Sequence, residues 1–311
     1  MTTRLPRVSG LVAGSFVLLL TTACAETAGR VHTEPPPPQI ERASADDQVG
    51  ESVSPIEPDR PDVTNGAHIV GEGLLQVELG YQHLRMGRTQ RSQGTPITLR
   101  LGVTEWLELR AGSDGYVRQS DGVTSASGAG NVQAGAKLRL FAEPGGLPVL
   151  SILPNVNLPV ASASKGLGSG DADYTLALLT GADVGRTSHV DVNYAIGAIG
   201  SGGGQPHFVQ HLVSVSASHS LTEQLSPYLE AFWSSSLEPH GGRALSIDGG
   251  LIQAVTARFA VDGGLAVGLT QDSPDLSVFV GISAILGDVL GDHGVIARQR
   301  RAARLQRAAG H

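Results

Sequence analysis

The sequence predicts an all-β fold, a closed antiparallel up-and-down transmembrane β-barrel of about twelve strands between residues 65 and 286. Runs of alternating apolar and polar residues fill this region, as two-sided strands require. The connections between the runs alternate in length, short then long. No run after residue 25 approaches the roughly twenty apolar residues of a membrane helix, so spanning would need a closed barrel.

The alternation is clear within single runs. In QVELGYQ, Val77, Leu79 and Tyr81 share one face and Glu78 lies on the other. A soluble β-sandwich alternates in the same way, with its apolar face inside, so this pattern leaves the sandwich open as an alternative. The connections favour the barrel, because outer-membrane barrels have short turns at one rim and longer loops at the other.

Two sets of connections follow from this interpretation. The short turns are predicted at Thr104 to Glu105, Glu143 to Gly146, Arg186 to Ser188, Thr222 to Gln224 and Ala257 to Arg258. The longer loops are predicted at Arg85 to Gly94, Arg118 to Gly128, Ser162 to Asp171, Ser201 to Gln205, Leu237 to Arg243 and Gln271 to Asp275. An even strand number would return both termini to the periplasm.

Aromatic residues fall near the predicted strand ends, where membrane barrels carry aromatic girdles. The predicted girdle consists of Tyr81, Trp106, Tyr116, Phe141, Tyr174, Phe208, Tyr228, Trp233 and Phe259. Aromatic residues make up only 4% of the chain, so the girdle would be sparse.

Alternation places charged residues on the face opposite the apolar one. The predicted lumen-lining residues are Glu78, Arg100, Glu108, Arg110, Lys137, Arg139, Asp191, Glu230, Asp248 and Asp262. Mixed charge can line a narrow or gated water-filled path. It can equally pair across strands and fill the lumen as a polar core.

The two ends of the chain differ in composition from the barrel. Residues 1–25 have the pattern of a secretory signal peptide, and Cys24 lies in a segment that resembles both a cleavage site and a bacterial lipobox. Residues 26–64 are rich in Pro, Glu, Asp and Ser, which predicts a disordered periplasmic linker or a plug. Residues 287–311 are rich in Ala and Arg and predict a basic, helical periplasmic tail.

No motif points to catalysis, a metal or a cofactor. His207 and His211 share a strand face near His240, and a lipid hydrolase would need such a histidine beside a serine, but Ser214 faces the other side. The sequence therefore predicts no enzyme, no cofactor and no metal site. The net charge of −7 argues against nucleic acid as a partner.

Several segments together resemble the outer-membrane transporters of the phenol-degradation meta-pathway family. They are PDRPDVTNG, GLLQVELGYQ, TLRLGVTEWLELRAG, GNVQAGAKLRL, LPVLSILPNVNLPVAS and HVDVNYAIGA, between about Pro58 and Leu286. The resemblance implies an outer-membrane channel or transporter for small hydrophobic or aromatic solutes, embedded in outer-membrane lipid and inserted by the assembly machinery. A structural barrel that links envelope layers is the other interpretation. The chain departs from the family in its last strand, which ends in Ala284, Ile285 and Leu286 without a terminal aromatic.

Overall fold

A computed structural model of the chain describes residues 56–61, 63–141 and 148–291. In these ranges almost all regular structure is β-strand, with one 3₁₀ turn at Ala163–Lys165. The strands in chain order are β1 (Leu74–Met86), β2 (Gln90–Gly94), β3 (Ile97–Thr104), β4 (Leu107–Ser113), β5 (Tyr116–Ser120), β6 (Ser125–Ala129), β7 (Val132–Phe141), β8 (Val149–Leu158), β9 (Asp173–Val184), β10 (Ser188–Ile199), β11 (Phe208–His219), β12 (Leu225–Ser234), β13 (Ala244–Thr256), β14 (Phe259–Gly268) and β15 (Leu276–Asp288).

The strands form one antiparallel sheet that closes on itself. Neighbours in the sheet are neighbours in the chain along most of the barrel, and β15 pairs with β1 from Leu74↔Asp288 to Arg85↔Leu276. Closure leaves no unpaired strand edge in the barrel wall, which a hydrocarbon environment requires. The predicted closed barrel of twelve antiparallel strands is therefore confirmed.

Three of the twelve strands are interrupted, which is why fifteen segments appear. The segments β2 and β3 form one strand that is broken at Thr95 and Pro96, because β2 pairs with the C-terminal half of β1 and β3 with its N-terminal half. The breaks between β4 and β5 and between β6 and β7 lie side by side, since Gly130 N donates to Gly115 O at 2.7 Å. Gly115 has a φ of +67°, which favours glycine.

The connections define two rims. The rim at which β1 begins and β15 ends carries the short turns and is called the turn rim; the opposite one is the loop rim. Turns at 105–106, 185–187, 220–224 and 257–258 and loops at 159–172, 200–207, 235–243 and 269–275 agree with the predicted positions. The predicted turn at Glu143 to Gly146 lies outside the described residues.

Two predicted loops are wrong. Residues 85–94 and 118–128 are mostly β-hairpins, in which β1 pairs with β2 and β5 with β6 above the interruptions. These polar extensions lack the alternation of a strand that lies between lipid and lumen, so their sequence predicts a loop. They raise the wall on one side of the loop rim.

The barrel has the reverse polarity of a soluble protein. Large apolar side chains such as Leu229 (67% exposed), Val280 and Leu176 point outward, while Glu108 and Lys137 are 0% exposed inside. Soluble domains rarely bury charges in this way while leaving a continuous apolar outer face. This arrangement identifies the outward face as lipid-facing. No helix in the described ranges is long and apolar enough to span a membrane.

Most of the predicted girdle residues lie on the outer face or at a rim. Tyr81, Trp106, Tyr116, Phe141 and Tyr174 are among the exposed large side chains, and Trp233 and Phe259 are half-buried. Phe208 is half-buried at the start of β11 and lies on the same face of the strand as the buried Gln210.

Tyr228 departs from the girdle expectation. It is only 5% exposed and lies on the inward face of β12, next to the outward Leu229. Gly250 is its cross-strand neighbour on β13, and a methyl group at Gly250 would be 2.8 Å from the tyrosine ring. The missing side chain of Gly250 therefore gives the ring room to lie against the inner wall.

Candidate functional site

The lumen contains a segment of the chain that precedes the first strand. This re-entrant segment comprises residues 56–61 and 63–73. It begins at the turn rim, where Ile56 N donates to Ala257 O at 2.9 Å, and it returns there, where Gly73 N donates to Gly102 O at 2.7 Å. Between these ends it contacts inward residues on opposite sides of the barrel, so it crosses the lumen.

One wall of the lumen, formed by β1, β3, β4 and β7, carries a buried charge network around Arg100. Arg100 donates to both carboxylate oxygens of Glu108, from Nε at 2.9 Å and Nη2 at 3.1 Å. Its Nη1 donates to Glu78 Oε1 at 2.9 Å. Bidentate pairing of this kind fixes the orientation of the guanidinium. We call this side the basic wall, because Arg110 and Lys137 lie on it as well.

Asp59 of the re-entrant segment binds this wall. Its Oδ2 accepts from Arg110 Nη1 at 2.6 Å and Lys137 Nζ at 2.9 Å, and its Oδ1 lies 3.5 Å from Arg100 Nη1. Burial alone would raise the pKa of Asp59, but the positive charges of Arg100, Lys137 and Arg110 outweigh it and hold the pKa below its usual range. The carboxylate is therefore ionised when the segment is seated.

The basic wall also binds the backbone of the segment. Lys137 Nζ donates to Gly66 O at 2.7 Å and His68 O at 3.1 Å, and Glu108 accepts from Val70 N at 2.9 Å. Ala67 is fully buried against an apolar patch of the neighbouring strands that includes Leu179. Such contacts satisfy buried polar groups that would otherwise be costly.

The opposite wall, formed by β12, β13 and β14, is acidic. Glu230 accepts hydrogen bonds from Val63 N at 2.8 Å, from Thr64 N at 2.6 Å and from the Thr64 hydroxyl. Thr64 Oγ1 also lies 2.7 Å from Ser214 Oγ on β11. Asp248 faces Glu230 across the β12–β13 pair. We call this side the acidic wall.

Arg60 extends to the acidic wall and to the pair of strands, β1 and β15, that closes the barrel. Its Nη2 lies 3.4 Å from Asp262 Oδ1 and donates to Val280 O at 3.2 Å. The guanidinium occupies a notch made by Gly80 and Gly281, which pair across β1 and β15. A methyl group at either glycine would overlap the guanidinium, so the notch depends on two missing side chains.

A cavity of about 380 Å³ lies against the re-entrant segment. Asp59, Arg60 and Asn65 of the segment line it together with residues of both walls. Amide side chains such as Gln133 and Asn193 contribute much of its polar surface, and the inward Phe232 and Phe279 contribute apolar surface. The segment therefore forms part of the wall of this cavity.

The predicted lumen residues are distributed unevenly over the inner face. Glu78, Arg100, Glu108, Lys137, Glu230, Asp248 and Asp262 are buried, and Arg110 is 12% exposed in its side chain. Arg139 instead bonds to Glu105 O at the turn rim. Asp191 pairs with His189 at 3.3 Å, and the His189 ring lies 5.8 Å from that of His68 in the segment.

Within the described ranges, the ring nitrogens of His207 and His211 contact groups other than a serine hydroxyl. His211 Nδ1 lies 3.2 Å from the hydroxyl of the exposed Tyr194. Ser214 is fully buried on the inward face and lies against Thr64. His207 lies 2.7 Å from Ala172 O. In the described ranges no three His, Cys, Asp or Glu side chains are grouped as a metal site.

Some predictions fall outside the described residues. These are the signal peptide, Cys24, most of the 26–64 linker or plug, and the tail beyond Gly291. Asp59, Arg60 and Thr64 were not predicted as site residues. The linker-or-plug prediction for residues 26–64 covers them without naming them, and the resemblance of PDRPDVTNG to a family motif falls on the same stretch.

Residues 58–285 match the family described as "Putative MetA-pathway of phenol degradation". The chain belongs to this family. The match begins inside the re-entrant segment and continues through nearly all of β15, so the segment and the barrel are parts of one family domain. No curated protein sequence matches the chain.

The chain is also similar to several solved structures. The COG4313 outer membrane channel from Pseudomonas putida F1 is 13% identical, with 74% of this chain and 100% of that chain covered at a TM-score of 0.57. The KdgM porin is 12% identical, with 67% and 98% covered at a TM-score of 0.43. The CymD monoaromatic hydrocarbon channel is 10% identical, with 70% and 89% covered at 0.39. The similarity to the Pseudomonas barrel supports the fold.

Proposed function

We propose that this protein is an outer-membrane channel for small solutes and that the re-entrant segment is its gate. The family, the closed barrel and the lipid-facing apolar surface support a membrane channel. In the orientation typical of outer-membrane barrels the turn rim faces the periplasm. Both ends of the barrel domain then lie on the periplasmic side, and the segment enters the lumen from there.

The observation that carries this proposal is the position of the segment between two walls. It binds the basic wall through Asp59 and the acidic wall through Arg60 and Thr64, and it lines the cavity. A solute that enters the cavity from the loop rim therefore meets the segment. Passage requires that these contacts break.

The solute class fits small aromatic or other hydrophobic compounds that carry a polar group. The family description refers to phenol degradation. The cavity combines the inward rings of Phe232 and Phe279 with many amide side chains. Such a lining offers apolar contact for a ring and hydrogen bonds for a polar substituent.

Single-channel recording in a planar lipid bilayer tests the gate. We expect the full chain to show rare openings and a variant with Asp59→Ala and Arg60→Ala to open at least tenfold more often, because both walls lose their charged contact. Glu57→Ala is the matched control, since the Glu57 side chain is exposed and only its carbonyl contacts Arg100 and Gln76. Folding of each variant is checked by the mobility shift of unheated barrels on denaturing gels.

A closed structural barrel is the second candidate, because the Arg100 network already pairs opposite charges across β1, β3 and β4. It predicts that the folded double variant stays silent in the bilayer. Silence of a demonstrably inserted double variant would therefore reject the channel and support the structural barrel.

A further inference from the structure

The Asp59 carboxylate lies where three cationic side chains from three strands converge. Arg110 donates to it at 2.6 Å, Lys137 at 2.9 Å, and Arg100 lies 3.5 Å away. Gly66 N adds a backbone donor at 3.2 Å. All of these groups point at one two-oxygen anion, which is the geometry of a carboxylate site.

The barrel itself holds part of this site in place. Arg100 is fixed by Glu108 and Glu78, neither of which belongs to the segment. The basic wall has three cations, Arg100, Arg110 and Lys137, and two carboxylates, Glu78 and Glu108. The difference, three minus two, leaves one positive charge, which Asp59 neutralises.

This charge balance selects the kind of anion. A buried unpaired charge is costly, so the wall favours an occupant when the segment leaves. A carboxylate with one negative charge restores neutrality, whereas a divalent anion would leave a net negative charge. The site also faces the solute path, because Asp59 and Arg110 line the same cavity as Phe232 and Phe279.

The geometry points to a carboxylate-binding site formed by Arg100, Arg110 and Lys137, which the Asp59 side chain occupies in the closed channel. Organic monocarboxylates compete with Asp59 for this site, displace the segment and pass through the barrel. This inference rests on the proposed channel function and names its solute class. Aromatic monocarboxylates fit best, because the adjoining cavity presents apolar rings.

Replacing the internal ligand by a free one tests the site directly. In the full chain, Asp59→Ala removes the carboxylate and leaves room for formate. We expect ¹³C-formate to bind this variant, with NMR line broadening at least fivefold greater than for the unsubstituted chain. Asp59→Asn is the matched control, since its amide fills the same space and leaves no room for formate.

The two readouts separate the inference from the proposed function. Formate binding to Asp59→Ala without any conductance would support the site and reject the channel. Conductance without formate binding would overturn the carboxylate site and leave the channel standing.

A second measurement does not depend on the folding of Asp59→Ala. With the unsubstituted full chain in a bilayer, we expect benzoate to raise the opening frequency at least threefold and neutral benzamide to have no effect. Lys137→Gln should abolish the response to benzoate. Equal responses to benzoate and benzamide, or a response that survives Lys137→Gln, would overturn the inference.

Discussion

The two walls of the lumen hold the same segment by different means. The basic wall surrounds the Asp59 carboxylate with three cations and is itself cross-linked by the Arg100, Glu78 and Glu108 pairs. The acidic wall holds the segment through hydrogen bonds to Glu230 and through one guanidinium, Arg60, at 3.4 Å from Asp262. Adjacent residues of opposite charge thus face walls of opposite charge.

The two walls should contribute differently to the stability of the barrel and to the release of the segment. Removing a charge from the basic wall leaves other buried charges without partners, so it should weaken the whole barrel. Removing a contact from the acidic wall affects mainly the segment. We therefore expect the acidic wall to release the segment first and the basic wall to act as its anchor.

The largest effect is expected for Arg100→Met, which leaves Glu78 and Glu108 buried without their common partner. We expect a loss of roughly 3–5 kcal/mol in the free energy of unfolding. Urea unfolding of vesicle-inserted protein, followed by the fluorescence of Trp106 and Trp233, measures this loss. Arg139→Met at the turn rim is the matched control and should cost under about 1 kcal/mol. Equal losses for the two variants would refute the anchoring role of the basic wall.

An intermediate effect is expected for Glu230→Gln, because Val63 N and Thr64 N donate to different carboxyl oxygens and an amide offers only one oxygen. A buried donor that loses its acceptor costs roughly 1–3 kcal/mol, so the segment should leave the lumen about ten times more often. The labelling rate of a cysteine at Asn65 with a maleimide reports this release. Asp173→Asn is the control, since Asp173 bonds to Asn157 and Gly200 outside the segment. The comparison fails if both variants label at the same rate.

The smallest effect is expected for Gly80→Ala. The new methyl group would displace the Arg60 guanidinium, the flexible end of a side chain, so we expect a loss below about 1 kcal/mol. In an Arg60→Ala background the same substitution should have no effect, and unfolding measurements on the four variants give the coupling. Gly263→Ala, whose methyl group would make only ordinary contacts at 3.4 Å, is the control. A full effect of Gly80→Ala without Arg60 would show that the notch does not act through Arg60.

Much of the barrel could be predicted because a strand between lipid and lumen has only two environments. Alternation alone assigned Glu78, Arg100, Glu108 and Lys137 to the polar face, and all four are buried inside. It could not predict β2, β5 and β6, which extend beyond the membrane-facing band and have no apolar side. It also misplaced Tyr228, because the room for its ring comes from Gly250 on another strand.

The binding partners of the re-entrant segment could not be predicted from local sequence. The Pro- and Asp-rich stretch before β1 has the composition of a linker, and nothing in it indicates what it binds. Asp59 and Lys137 are 78 positions apart, and Thr64 and Glu230 are 166 apart. Only the closed barrel brings such partners together around the segment.

The most direct test of the gate is a reversible cross-link between the segment and the wall. The hydroxyl oxygens of Thr64 and Ser214 are 2.7 Å apart, so cysteines at both positions can form a disulfide, whose sulfurs are roughly 2 Å apart. The pair is introduced with Asp59→Ala, and Cys24, the single cysteine of the chain, is replaced by serine. We predict frequent openings in the reduced state and silence in the oxidised state. The conductance of the single-cysteine controls should not change with the oxidant. Equal conductance in the two states would contradict the segment as the gate.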